Sequence, residues 1–138
     1  MPNFQELSVG LVVAEQDFEV SRDSLVRYAG ASGDFNPIHY REDFAQSVGL
    51  PGVIAHGMLT MGLSIQPVVS WIGDAAKILD YGVRFTKPVP VSGSAATTLK
   101  VVATIGALDE EAQKAKVDIT TSYEETTVLG KAQAWVQL

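Results

Sequence analysis

The order of patterns along this chain predicts an α+β domain: an early strand, a group of helices, then strands to the end. Three observations carry that prediction. Residues Gly57–Ile72 form one long, almost wholly apolar run of helical length. Four β-rich runs follow it, separated by turn residues. The chain has 138 residues, 46% of them hydrophobic, and no cysteine, so it can bury a core without disulfides. The expected architecture is one sheet around a buried helix.

Phe4–Val20 reads as a lead-in and a strand, with Val12, Val13 and Phe18 as apolar positions. Ser21 is a good N-cap and Asp23 falls in the first turn of a helix that reaches about Ala29. Gly33 is a candidate C-cap, and Glu42–Val48 is a short second helix. Pro51-Gly52 marks a turn, after which Val53-Ile54-Ala55 leads into the long helix. Pro67 is expected to kink or shorten its second half. At this length an apolar helix is a core element rather than a membrane span. The later strands are Ile78–Lys87, Ala95–Leu108, Lys114–Glu125 and Thr127–Leu138. Pro88–Gly93 and the acidic Asp109-Glu110-Glu111 read as hairpin loops. There is no internal repeat, low-complexity segment or linker, so residues 1–138 read as one domain.

Composition removes several classes of function. A net charge of −6 provides no basic footprint for nucleic acid. Without cysteine there is no zinc–thiolate site and no cysteine nucleophile. The two histidines lack zinc-ligand spacing, and neither a G-x-S-x-G elbow nor a glycine-rich phosphate loop is present. Residues Met1–Glu6 have no basic region and no apolar run, so no signal peptide is expected. No stretch reaches membrane-span length, and a cytoplasmic protein is the expectation. Trp71 and Trp135 read as core or interface packing.

Both histidines lie in unusual surroundings. In Gly33-Asp34-Phe35-Asn36-Pro37-Ile38-His39 an acid and an imidazole stand five residues apart. On a continuous helix that spacing turns them about 140° away from each other. Pro37 prevents a continuous helix and pushes Asn36 towards an extended conformation, so a rigid turn can bring both side chains to one point. The same run also fits a turn in which Asp34 and Asn36 merely satisfy local backbone groups. The second run, Ala55-His56-Gly57-Met58-Leu59-Thr60, opens the long helix with a glycine. Free N–H groups there, and a residue without a side chain, suit an oxyanion site built from backbone. A glycine needed only for tight packing is the plainer alternative.

Tyr28–His39 followed by Ile54–Thr60 resembles the hydratase 2 signature of the MaoC-like family of (R)-specific enoyl-thioester hydratases and dehydratases. The resemblance runs the whole chain. Thr60-Met61-Gly62, Ser70-Trp71-Ile72-Gly73-Asp74 and Tyr81-Gly82-Val83-Arg84-Phe85-Thr86 are similar to runs in the catalytic B-type subunit of actinobacterial (3R)-hydroxyacyl-ACP dehydratases. The resemblance implies a single hot-dog fold, an antiparallel sheet wrapped around a long central helix. It makes Asp34 and His39 the catalytic pair that holds one water, with the Gly57 N–H on the thioester carbonyl. Asn36, His56, Met58 and Arg84 become candidate substrate-binding residues. No metal and no cofactor are implied, because the substrate arrives on CoA or the phosphopantetheine of an acyl carrier protein. A homodimer, or a heterodimer with a second hot-dog subunit, is the implied assembly. One position departs from the pattern. Several family members support the aspartate with a serine on the central helix; here the ungapped count falls on Ile65, beside Ser64, leaving Asn36 as a candidate support.

The implied reaction is hydration of a trans-2-enoyl thioester to the (3R)-hydroxyacyl product, or its reverse. The alternatives are a hot-dog acyl thioesterase and a non-catalytic acyl-binding partner subunit. A non-catalytic subunit is expected to have lost the acid or the base, and this chain keeps both. For an acidic carrier protein, the cations available to a docking patch are Arg41, Arg84, Lys87 and Lys100, although each reads first as ordinary solvated surface.

Overall fold

Strand β1 (Val12–Val20) runs straight into helix α1 (Arg22–Ser32), with Ser21 at the junction. The Ser21 hydroxyl accepts the Ser24 amide while the Ser24 hydroxyl takes the Ser21 amide, a reciprocal cap that satisfies two otherwise free donors. Gly33 ends α1 at φ 76°, the left-handed conformation that glycine adopts without steric cost. This computed structural model describes every residue from Met1 to Leu138. After α1 come a short 3-10 turn at Pro37–His39, helix α2 (Glu42–Ser47) and the long helix α3 (Gly57–Ile72). Strands β2 (Ile78–Phe85), β3 (Thr97–Asp109), β4 (Lys114–Tyr123), β5 (Thr126–Thr127) and β6 (Leu129–Gln137) complete the chain.

All strands join one antiparallel sheet in the order β1-β3-β4-β6-β2, with the short β5 paired to β4. Helix α3 packs against β1, β2, β3 and β4. This is the hot-dog arrangement of an antiparallel sheet and one long helix. Along β3 burial alternates, so Leu99, Val101, Ala103 and Ile105 face the core. Val68 and Ile72 of α3 meet them there, fully buried.

The buried stripe of α3 is smaller and more polar than its apolar sequence suggests. Thr60, Ser64, Val68 and Ile72, spaced four apart, are its innermost residues. Ser64 donates to the Thr60 carbonyl at 2.7 Å and accepts from the Thr121 hydroxyl of β4 at 2.7 Å. Both hydroxyl residues are fully buried, so the pair satisfies groups that water cannot reach. Meanwhile Met61, Leu63, Ile65 and Val69 are only half-buried, and Met58 is exposed.

Three expectations change. Pro67 does not shorten α3, which continues to Ile72 because packing against the sheet outweighs the lost backbone bond. Pro88–Gly93 is not a hairpin loop. It belongs to the crossover from β2 to β3, which are not neighbours, and it pairs with the lead-in to α3. The Ala55 amide bonds to the Val89 carbonyl and the Val91 amide to the Val53 carbonyl. Proline and glycine mark a change of direction but not its partner. Finally, the strand expected through Glu125 turns at Glu124 and Glu125, whose φ values are 45° and 63°. Two positive φ values at the centre of a hairpin suit its twist, but glutamates give no sequence signal for it.

Replacing Ser64 with alanine would leave the buried Thr121 hydroxyl without its partner. The expected loss is about 1–3 kcal/mol of unfolding free energy in urea titration.

Candidate active site

The site forms where three segments meet: the turn after α1, the N-terminus of α3, and the end of β2 with its crossover. Two successive side-chain-to-backbone turns shape the first. Asp34 Oδ1 accepts the Asn36 amide at 3.1 Å, and Asn36 Oδ1 accepts the Ile38 amide at 3.2 Å. The local-turn reading and the catalytic reading of this run are therefore compatible. Support for the Asp34 carboxylate comes from the Asn36 backbone, while the Asn36 side chain caps the next turn. Ser64 does not assist, being bonded to Thr60 and Thr121.

Across the turn, His39 Nε2 lies 4.0 Å from Asp34 Oδ2. The carboxylate is half exposed and the imidazole nearly buried, at 51% and 8% side-chain exposure. His39 Nδ1 sits 2.7 Å from the Ile54 carbonyl oxygen, which can only accept. Nδ1 therefore carries the proton, and Nε2 presents a lone pair towards Asp34.

His56 is arranged in the same way. Its Nε2–H donates to the Asp34 carbonyl oxygen at 3.1 Å. Its ring stacks on His39 with centroids 3.8 Å apart and planes 22° from parallel, and the Tyr28 ring meets it edge-on at 4.8 Å. Asp34, His39 and His56 offer ligand-type atoms within 4.8 Å of one another. One nitrogen of each ring is committed to a carbonyl, which leaves His39 Nε2 and the Asp34 carboxylate open and the remaining lone pair of His56, on Nδ1, buried without a partner.

Helix α3 begins at Gly57 with no side-chain cap, so its first amides and the positive end of its dipole are free for a ligand. Gly57 and His39 both line a cavity of about 420 Å³, walled by Ile38, Ile54, Thr60, Phe85, Val89 and Leu129 among others. A Cβ at Gly57 would meet the Phe85 ring at 3.0 and 3.1 Å, so the ring would have to shift by a few tenths of an ångström to admit one.

Of the residues singled out by sequence, His39 and Gly57 line the cavity, and Asp34 faces His39 from beyond its wall. Asn36, Met58 and Arg84 are exposed and lie off the cavity wall. His56, expected to touch substrate, is 1% exposed and lies behind the pair. Among the cations, Arg41 pairs with Asp43 and Lys100 with Glu15, while Lys87 lines the cavity. Sequence reasoning missed Phe85, Val89 and Leu129 as walls; only the Phe85-Thr86 run similar to known dehydratases hinted at the first.

The MaoC like domain model matches residues 7–127. Over 69 residues the chain is 42% identical to 3-hydroxyacyl-thioester dehydratase X of Mycobacterium tuberculosis, covering 50% of this chain and 24% of that protein. It is 30% identical over 127 residues to 3-hydroxybutyryl-CoA dehydratase of Methylorubrum extorquens, covering 91% and 78%. A solved MaoC-like dehydratase superposes with a TM-score of 0.95 at 36% identity, over 99% of this chain and 42% of that one. The chain belongs to the MaoC-like domain family, and it spans about a quarter of dehydratase X.

Burial lowers the His56 pKa from its ordinary 6.5; the bond to the Asp34 carbonyl opposes this, and the charge on His39 adds to it. The unfolded chain thus binds a proton at His56 before the folded one does. The stability from neutral His56 is full above the unfolded value and is lost as pH falls through the lowered folded value. Between about pH 8 and about pH 5, the thermal midpoint of the wild type should fall further than that of His56→Gln.

Proposed function

We propose that this chain catalyses reversible hydration of trans-2-enoyl thioesters to (3R)-hydroxyacyl thioesters, with the acyl group carried on CoA or an acyl carrier protein. The observation that carries it is the 4.0 Å gap between Asp34 Oδ2 and His39 Nε2, beside the uncapped first turn of α3. Two acceptors at that separation can share one water, each about 2.8 Å from its oxygen.

In hydration, the water oxygen attacks C3 while His39 Nε2 takes one of its protons; the other hydrogen stays on the oxygen and donates a hydrogen bond to the Asp34 carboxylate. Electrons move through C2 to the thioester oxygen, where the Gly57 N–H stabilises the enolate. The enolate then collapses, and His39 returns its proton to C2. Water has added across the double bond and both side chains regain their starting states. Dehydration is the reverse: Nε2 removes the C2 proton, then protonates the departing hydroxide. No step requires a metal or redox cofactor, because the thioester itself acidifies C2. The (R) sense follows the hydratase 2 resemblance, and the two named dehydratases support the reaction class. A cytoplasmic setting is part of the same proposal.

The acting form is a dimer, of two copies or with a second hot-dog subunit, joined at β2. The two edges of the sheet differ. Edge strand β1 exposes Glu15, Asp17 and Glu19, charges that discourage pairing, whereas β2 exposes Leu79 and Phe85. Exposed Phe35, Tyr40 and Met58 extend the apolar surface beside the site, and α3 is more apolar than one subunit can bury.

Incubation with crotonyl-CoA should remove the enoyl absorbance and yield the (3R) product by chiral analysis. Asp34→Asn and His39→Gln should each lower kcat/KM by about 10²–10⁴. An (S) product, or full activity in both variants, would overturn the mechanism; release of free thiol would indicate a thioesterase instead. Light scattering should give twice the chain mass, for the protein alone or with the second subunit. Leu79→Lys on β2 should shift that mass towards the monomer.

A further inference from the structure

His56 is a buried titratable side chain to which the mechanism assigns no step. It occupies the N-cap position of α3 yet makes no side-chain cap to its own helix. Its ring turns instead towards the turn after α1. There it makes two contacts, one to each member of the catalytic pair. The Nε2–H holds the Asp34 carbonyl at 3.1 Å, and the ring face lies 3.8 Å from His39 at 22°. Tyr28 closes the far side edge-on.

The Nε2–H bond exists in either protonation state, but two costs favour the neutral ring. As an imidazolium it would carry a second N–H at Nδ1, and that atom is buried with no acceptor. The charge would also lie face to face with His39, the ring that must itself become cationic during turnover. The neutral form avoids both costs and leaves a donor where the Asp34 carbonyl needs one.

We infer that His56 is a positioning residue that fixes the Asp34 backbone through its Nε2–H and the plane of the His39 ring through its face. The inference rests on the hydratase reading above, because only that reading gives the separation of the two groups a purpose. Asp34 and His39 come from either side of Pro37, and no direct hydrogen bond joins their side chains. Their registration therefore needs a third body that touches both. Phenylalanine offers a face but no donor; glutamine offers a donor but no flat ring. Histidine supplies both in a neutral side chain. A shift of about 1 Å between reacting groups can cost about 100-fold in rate, which is the scale of the effect at stake.

The test uses the full chain with histidine-ring NMR and steady-state hydration of crotonyl-CoA. There are only two histidines, so in any His56 variant the single ring signal belongs to His39. In the wild type, His39 should give one set of signals for the Nδ1–H tautomer. In folded His56→Phe and His56→Gln, that signal should broaden or become a mixture of tautomers. In both variants kcat should fall about 10- to 100-fold with KM within about threefold. A role in folding alone predicts the opposite: a lower thermal midpoint, an unchanged His39 signal, and kcat per folded molecule within about twofold of wild type. That result would overturn the inference. If the wild type fails to hydrate crotonyl-CoA, the functional reading fails, and the NMR comparison still decides whether His56 positions His39.

Discussion

The site is organised by two backbone carbonyls, those of Ile54 and Asp34. Each accepts a proton from a histidine ring, His39 at 2.7 Å and His56 at 3.1 Å. A carbonyl can only accept, so these bonds assign the tautomer of both rings. His39 is left with its lone pair aimed at the carboxylate, and His56 is left with a buried, bare Nδ1. The arrangement of the pocket, a base beside a carboxylate, follows from that assignment.

Those carbonyls are themselves held by long-range contacts. Ile54 lies in the lead-in to α3, and its neighbours Val53 and Ala55 bond to Val91 and Val89 of the crossover between β2 and β3. The crossover is needed because β2 and β3 are not adjacent in the sheet. The connection that solves a topological problem for the sheet thus also braces the segment whose carbonyl holds His39. It contributes Val89 to the cavity wall as well, alongside Gly57 and Phe85.

Helix α3 shows a second economy. Its innermost stripe begins with two hydroxyl residues, Thr60 and Ser64, rather than large apolar ones. Small side chains let the helix approach the sheet, and the Thr121 hydroxyl completes the hydrogen bonding there. The bulkier apolar residues sit on flanks that one subunit only half covers.

The sequence alone determined the order of elements and the run that turns Asp34 towards His39. Both depend on neighbours within a few residues: Ser21 and Gly33 at the ends of α1, Pro37 between the acid and the imidazole, Gly57 at the start of α3. Tertiary structure decided the rest. Glu124 and Glu125 turn the chain although neither residue type signals it, and Pro67 sits inside a helix it was expected to shorten. Phe85, Val89 and Leu129 become walls of one cavity because sheet pairing brings β2 and β6 together, in contacts that no local pattern encodes. His56 reads from its place beside Gly57 as a ligand contact, and packing buries it against the His39 ring and the Asp34 carbonyl. Spacing and turn chemistry act over one or two turns of chain. Which face of a side chain is buried, and against what, is settled only when distant segments pack.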